Sequence, residues 1–113
     1  MQDFKIRFPA GYQVNDIFND NLDLNVIFPD NSVFFGTSFT VNNIQHLMEK
    51  GPNNYFWAVD MFIVKDLEKI TIKKAIQDAI NDEYFNLIFS QIGSLSTVYG
   101  KSVNYDSIVD ECS

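Results

Sequence analysis

Cysteine, histidine and basic residues are scarce in this sequence. Its 113 residues include one Cys, one His and eight Lys or Arg, against fifteen Asp or Glu. A single thiol cannot form an intrachain disulfide, and structural zinc sites need several Cys and His ligands. The scarcity of these residues therefore excludes a disulfide-stapled scaffold and a zinc-binding domain.

The shortage of Lys and Arg leaves a formal net charge of −7 and an isoelectric point near 4.4. Nucleic acids and anionic membrane surfaces are bound through clustered basic residues, so neither is an expected partner. An acidic surface attracts basic partners and speeds their encounter. The alternative interpretation is that the negative charge serves only solubility.

Long hydrophobic runs are also missing. The longest unbroken ones are residues 55–59 and 61–64, whereas a membrane-spanning helix needs about 18 or more apolar residues. The chain does not begin with a basic segment followed by an apolar run, so no signal peptide is predicted. We therefore expect a cytoplasmic protein.

The sequence does contain ample core material, with 46% hydrophobic residues and eleven Phe. A chain of this length can bury roughly two-thirds of its unfolded surface. We expect a single domain over residues 1–113. Its polar end, residues 94–113, is expected to be weakly ordered, with one strand near 97–104 and a frayed acidic terminus.

Alternation of apolar and polar residues predicts strands at 4–8 and 22–28, and residues 33–40 are predicted to return antiparallel to the second of these. Pro29 and Asn31 suit the turn between them. Gly36 lies in the middle of the return strand, which indicates a bulge or a close backbone approach.

The remaining elements follow from periodicity and helix caps. Residues 41–50 are predicted to form a short helix capped by Thr40 or Asn42, with Ile44, Leu47 and Met48 facing the core and Gly51 as a left-handed C-cap. The nearly continuous apolar segment 55–65 predicts a central strand buried on both faces. A long amphipathic helix is predicted at 68–82, with Asp66 or Thr71 as its cap. Residues 13–21 and 84–92 each fit two interpretations, namely helix or loop and helix or strand.

Together these elements predict an α+β fold. It should contain a mostly antiparallel sheet of four to five strands, one long amphipathic helix packed on one face of the sheet, and one short helix. The strand order stays open, because the 41–50 connection is short for a parallel crossover.

No motif in the sequence demands a particular chemistry. Gly100-Lys101-Ser102 lacks the first glycine of a phosphate-binding loop, and residues 16–25 lack the Gly and Glu of a calcium-binding loop. With His46 as the only imidazole, no Ser or Cys stands in a nucleophile-elbow sequence. Asp60 interrupts the predicted buried strand, so it is either a hydrogen-bonded structural residue or a candidate catalytic carboxylate.

Acidic residues form three clusters in the sequence, and each is interpreted either as a binding face or as a solvated face. The clusters are Asp78, Asp82 and Glu83 on the long helix; Asp16, Asp20 and Asp23; and Asp106, Asp110 and Glu111. The cluster on the long helix is the first candidate for a binding face, because a rigid face loses less entropy on binding.

The central block reads SVFFGTSFTVNNIQHLM, then YFWAVDMFIVKDL, then the amphipathic helix and DEYFNLIFSQI. This order, over roughly residues 32–92, resembles small bacterial immunity proteins of polymorphic and contact-dependent growth-inhibition toxin systems. The resemblance implies a cytoplasmic, non-enzymatic protein without a cofactor or metal. Its partner would be a cognate toxin domain, often a basic nuclease, neutralised by non-covalent binding. The alternatives are a small-molecule or peptide-binding adaptor with a pocket lined by Phe residues, and an enzyme built on Asp60.

Overall fold

A computed structural model describes residues 2–113 and has an α+β fold with a mixed five-stranded sheet. The strands are β1 (Lys5–Arg7), β2 (Asn21–Ile27), β3 (Ser32–Thr40), β4 (Met61–Val64) and β5 (Ser90–Ser94). The helices are α1 (Val41–Lys50), α2 (Lys69–Asn81), α3 (Phe85–Ile88) and α4 (Leu95–Val98), followed by a 3-10 turn at Tyr105–Ser107.

The predicted fold class is confirmed, but the sheet is not purely antiparallel. β1 pairs with β2, β2 with β3, and β5 with β3 in antiparallel directions, whereas β4 runs parallel to β3. The parallel pairing is possible because the connection from β3 to β4 includes both α1 and the ten residues 51–60 that follow it. The predicted long and short helices are α2 and α1, and α3 and α4 are additional short helices.

The hairpin of β2 and β3 is confirmed, with Asn21 opposite Phe39 at one end and Ile27 opposite Val33 at the other. Its turn is stabilised by local hydrogen bonds: the Asn31 N–H donates to the Phe28 carbonyl oxygen over 2.8 Å. Asn31 adopts the expected left-handed conformation, with φ of 72°. The turn sequence therefore fixes the register of the two longest strands.

The central strand of the sheet is β3, and the prediction that segment 55–65 is central is wrong. Only Met61–Val64 forms a strand there, and it lies at the end of the strand order, paired with β3. Ahead of it, Tyr55, Trp57 and Val59 are 61%, 72% and 69% exposed. The continuous apolar segment did not identify the central strand, because apolar character does not specify which strand gains partners on both edges. β3 gains them, and its residues 36–40 are all buried.

Gly36 lies where β3 changes partners along one edge. Residues 32–35 of β3 pair with β5, and residues 37–40 pair with β4. A Cβ atom on Gly36 would lie 2.3 Å from the ring of Phe89, so the ring occupies the space above this residue. The close approach at Gly36 is therefore made by a side chain and not, as the sequence predicted, by another backbone segment. The irregularity in pairing lies between Val33 and Phe34.

Helix α1 has the predicted bounds, and Thr40 caps it, because its hydroxyl oxygen accepts a hydrogen bond from the Asn43 N–H. Two details differ from the prediction. Gly51 has φ of −88°, so the C-cap is not left-handed. The apolar stripe of Ile44, Leu47 and Met48 is only half-buried, and Ile44 and Met48 line an open groove beside β4.

Helix α2 packs on one face of the sheet, as predicted, and buries Ile72 and Ile76 completely. Its N-cap is Glu68. Asp66 lies just ahead of the helix, where its carboxylate accepts hydrogen bonds from the Glu68 N–H and the Thr71 hydroxyl. The core on this face includes Ile6, Leu24, Val26, Phe28, Val64, Leu67, Phe85 and Phe89.

The C-terminal region covers the opposite face of the sheet. Residues 84–92 combine both interpretations left open by the sequence, since α3 is followed directly by β5. The strand expected near 97–104 is wrong. Leu95 of α4 is fully buried against Ile27 and Val33, and Tyr99 and Val103 pack around them. The apolar residues of this segment do not alternate with polar ones as in a strand. The segment covers a face of the sheet and does not pair with an edge strand.

Substituting Gly36 with Ala tests the contact with Phe89. The added methyl group would collide with the ring, so we expect a loss of about 1–3 kcal/mol in the free energy of unfolding, measured by urea denaturation. Phe89→Leu removes the colliding ring atoms, and the double variant should lose less than the sum of the two single losses. Additive losses would contradict this account of Gly36.

Candidate functional site

In the acidic cluster of Asp16, Asp20 and Asp23, each carboxylate accepts a hydrogen bond from a nearby group of the protein. The Asp16 carboxylate accepts a hydrogen bond from the Phe18 N–H at 2.9 Å, and the Asp20 carboxylate accepts one from the Asn21 N–H at 2.8 Å. Asp23 accepts a hydrogen bond from the Thr37 hydroxyl across the β2–β3 hairpin at 2.8 Å. These carboxylates shape a loop and a strand, and each has one oxygen engaged by the protein itself.

Two residues of the cluster of Asp106, Asp110 and Glu111 attach the C-terminal segment to β1, namely Asp110 and Glu111. The Asp110 carboxylate accepts a hydrogen bond from the Ile6 N–H, and the Glu111 carboxylate accepts one from the Phe8 N–H. Glu111 also forms an ion pair with Arg7, with 3.1 Å between Nε and Oε1, and its own N–H donates to the Ile6 carbonyl oxygen.

Two of the charges that suggested a solvated tail, Asp110 and Glu111, thus act as acceptors for the main chain of β1, whose outer edge would otherwise be unpaired. Among the three residues of the cluster only Asp106 is exposed. The cluster is not the free acidic face that a partner would need.

The third cluster, Asp78, Asp82 and Glu83, forms the acidic helix end. All three side chains are exposed, and within residues 2–113 none of their carboxylates accepts a hydrogen bond or joins an ion pair. The last turn of α2 contains no basic residue. Carboxylates at a helix C-terminus face the negative end of the helix dipole, so this arrangement opposes folding stability.

Glu83 adds a second cost at the acidic helix end. The Tyr84 N–H donates to the Ala79 carbonyl and the Glu83 N–H to the Ile80 carbonyl, which is the hydrogen-bond pattern of a Schellman motif. Glu83 has φ of 65° at the position where such motifs favour glycine. A charged residue therefore stands where both backbone conformation and electrostatics disfavour it.

Two exposed apolar side chains accompany the acidic helix end. Tyr84 follows Glu83 directly and is 60% exposed, and Leu87 on α3 is 80% exposed. Apolar anchors beside charged groups are typical of protein-binding surfaces. The sequence identified the carboxylates but not these neighbours, because the exposure of Leu87 depends on how α3 packs.

A cleft of about 360 Å³ lies next to the acidic helix end, and we name it the Phe cleft. Phe28, Phe34, Phe85 and Ile80 give it an apolar lining, and Asp30 and Glu83 also line it. Gln2, Ser32 and Asn86 complete the described lining. The Phe cleft lies between the hairpin turn and the end of α2. The sequence of neither segment indicates by itself that the two come together.

Asp30 is held ionised in this cleft. Its carboxylate accepts hydrogen bonds from the Ser32 hydroxyl at 2.6 Å and the Ser32 N–H at 2.9 Å. The hydroxyl bond is the larger cause and the backbone bond the next, and together they hold the pKa of Asp30 below its usual range. Asp30 lies between Pro29 and Asn31 of the predicted turn, and no pattern in the sequence marked it as a site residue.

An apolar groove of about 350 Å³ runs between α1 and β4. It is lined by Val41, Ile44, Gln45, Met48 and Ile63. Within the described part of the chain, β4 pairs with β3 alone, so its other edge is open. None of the lining residues is charged.

Two further residues with reactive side chains, Asp60 and Cys112, are hydrogen-bonded or buried within the protein. Asp60 lies in the turn before β4, where its carboxylate accepts a hydrogen bond from the Ser90 hydroxyl at 2.6 Å. It lines neither the Phe cleft nor the apolar groove. Cys112 is buried, which raises the pKa of its thiol to about 12. The thiol therefore stays protonated and weakly nucleophilic at neutral pH.

Residues 2–113 contain neither a cluster of metal ligands nor a helix suited to span a membrane. No group of three or more His, Cys, Asp or Glu side chains there could hold a metal ion. No helix in that part of the chain is both long enough and apolar enough to cross a membrane.

Comparison with known proteins gives no relative. No protein-family model, no curated protein and no solved structure matches this chain.

Replacing Asp110 with Ala tests how the C-terminal segment is attached. The change leaves the N–H of the fully buried Ile6 without its side-chain acceptor, so we expect a loss of about 1–3 kcal/mol in the free energy of unfolding. Asp106→Ala removes the same charge from an exposed position and should cost less than about 0.5 kcal/mol. The free energy of unfolding of both variants is measured by urea denaturation. Equal losses would show that the charge of Asp110, and not its hydrogen bond to Ile6, stabilises the fold.

Replacing Glu83 with Gly tests whether the acidic helix end is held at a cost. Relief of the left-handed conformation and of the charge at the helix end should raise the free energy of unfolding by about 1 kcal/mol. Glu83→Gln keeps the conformation and should give only the smaller electrostatic part. Thermal denaturation of both variants measures this, and a loss of stability in Glu83→Gly would contradict the assignment.

Proposed function

We propose that this protein binds and masks a basic protein partner, as an immunity protein does for its cognate toxin domain. The observation that carries the proposal is the acidic helix end, where three carboxylates without a partner in residues 2–113 stand at the C-terminal end of α2 although they oppose its stability. Residues that cost stability without serving the fold are commonly retained for function.

The charge of the whole chain supports the same proposal. With a net charge of −7, the protein attracts a basic domain from a distance, and the local carboxylates then orient it. Tyr84 and Leu87 supply exposed apolar area beside those charges. Steering by charge and anchoring by a few apolar side chains are the two ingredients of tight, specific protein binding.

Masking, and not chemistry, is the proposed mechanism. Asp60, the carboxylate considered for catalysis, is hydrogen-bonded to Ser90 and lies outside both clefts. A protein laid over a basic active site or substrate groove would inhibit by excluding the substrate. Such inhibition needs no cofactor and no group with unusual reactivity.

A peptide-binding adaptor is the second candidate function. The open edge of β4 beside the apolar groove favours it, because an extended peptide can add a strand to such an edge and place side chains in the groove. The two functions use different surfaces, so substitutions separate them.

The proposal is tested by co-expressing this protein with the polypeptide encoded immediately upstream of it and measuring growth and co-purification. We expect the upstream polypeptide to be toxic, the toxicity to be relieved, and a stable complex to form. The triple variant Asp78→Asn, Asp82→Asn and Glu83→Gln should weaken that complex roughly 10-fold or more at low salt, because it removes the proposed contacts.

A matched triple variant controls for total charge. Asp16→Asn, Glu49→Gln and Asp106→Asn remove the same charge from exposed positions on other elements and should change the affinity by less than about 3-fold. A harmless upstream polypeptide, or toxicity that is not relieved, would overturn the proposal. Binding that survives the first triple variant but is lost in Ile63→Lys would favour the adaptor.

A further inference from the structure

We propose that the Phe cleft receives an arginine side chain presented by the protein partner. This inference rests on the proposed function and deepens it, because it identifies one anchor of the basic partner. The cleft combines an aromatic lining with two carboxylates that lie on separate elements, Asp30 in the β2–β3 turn and Glu83 at the end of α2.

The aromatic lining suits a flat cation on an aliphatic stem. Phe34 and Phe85 meet edge to face with ring centroids 5.0 Å apart, and Phe28 packs against both rings at 5.5 and 5.2 Å. The rings hold one another in place, so the surface is preformed. Phe28 and Phe85 are only 5% and 6% exposed, so the half-buried Phe34 offers the accessible ring on which the methylene groups and the guanidinium plane of an arginine can pack.

The two carboxylates supply the charge complementarity. In Asp30 one oxygen accepts both hydrogen bonds from Ser32, which leaves the other oxygen for a ligand. The Glu83 carboxylate has no protein partner within residues 2–113. None of the described residues that line the cleft is basic, so no internal cation competes for the site.

Arginine is favoured over lysine by the shape of its head group. A guanidinium offers donors in a rigid fork and can meet carboxylates on two sides while its plane rests on an aromatic surface. An ammonium is a compact and strongly hydrated charge that gains less from the rings. The unfavourable backbone conformation of Glu83 is then explained, because it holds one of the two carboxylates at the cleft.

The test is an NMR titration of the intact 15N-labelled protein with small probes at low ionic strength. N-acetyl-arginine amide should shift the amide signals of Phe28, Phe34 and Phe85 in a saturable manner. N-acetyl-citrulline amide has nearly the same shape without the charge and should give no saturable shift. N-acetyl-lysine amide should bind at least about 3-fold more weakly than the arginine probe.

Two double variants complete the experiment. Asp30→Asn with Glu83→Gln should weaken arginine binding by about 5-fold or more, because both substitutions keep the shape and remove the charge. Asp106→Asn with Glu49→Gln removes equal charge elsewhere and should leave it unchanged. No saturable shift, equal binding of citrulline or lysine, shifts away from the cleft, or equal effects of the two double variants would overturn the inference.

The failure of this inference is distinguishable from failure of the proposed function. The probe titration needs no partner, so arginine binding can be present in a protein that relieves no toxicity. Conversely, relief of toxicity that is unchanged by Asp30→Asn with Glu83→Gln would leave the proposed function standing and remove the arginine anchor.

Discussion

The contact between the Phe89 ring and Gly36 determines how the rest of this protein is arranged. β3 must accept β5 along one half of an edge and β4 along the other half, and Gly36 lies at the change of partner. The missing side chain at Gly36 lets Phe89 lie directly on the sheet, where it stacks on Phe85 with 4.5 Å between ring centroids. The same ring packs near Phe62 of β4. One aromatic residue thus joins α3, β4 and the central strand.

This packing also builds the candidate site. Phe85 is fixed between Phe89 on one side and Phe28 and Phe34 on the other, so the lining of the Phe cleft is an extension of the hydrophobic core. A binding surface supported in this way loses little entropy when it is occupied. The charged residues around it belong to a turn and a helix end, which are positions that tolerate functional residues at limited cost to the core.

The acidic residues of the three clusters differ in what they contact. Asp16, Asp20, Asp23, Asp110 and Glu111 accept hydrogen bonds from N–H or O–H groups of the protein, whereas the carboxylate of Asp106 accepts none in the described chain. Asp110 and Glu111 secure the edge of β1 in this way. The acidic helix end makes no such bond in the described chain. Net charge alone cannot separate these groups, because an isoelectric point counts carboxylates and does not record their partners.

Part of the site was accessible from the sequence. Asp78, Asp82 and Glu83 were predicted as a cluster because they are close in the sequence, and Asp78 and Asp82, four apart, share one helix face. Asp30 was not predicted as a site residue, and the adaptor alternative expected a pocket lined by Phe residues without identifying Phe28, Phe34 and Phe85. Residues 28–34 and residues 80–86 come together only when α2 and α3 pack on the hairpin, and no short-range pattern encodes that contact.

The sequence by itself determined the β2–β3 hairpin, α1 and α2, because turn residues, capping residues and the periods of 2 and 3.6 act over a few neighbouring positions. The tertiary structure decided which strand is central, why residues 55–59 stay outside the sheet, and how the acidic C-terminal end is attached. These outcomes depend on competition among distant segments for the same edges and faces of one sheet. Hydrophobicity and charge show that a residue needs a partner, and only the packed chain determines which partner it obtains.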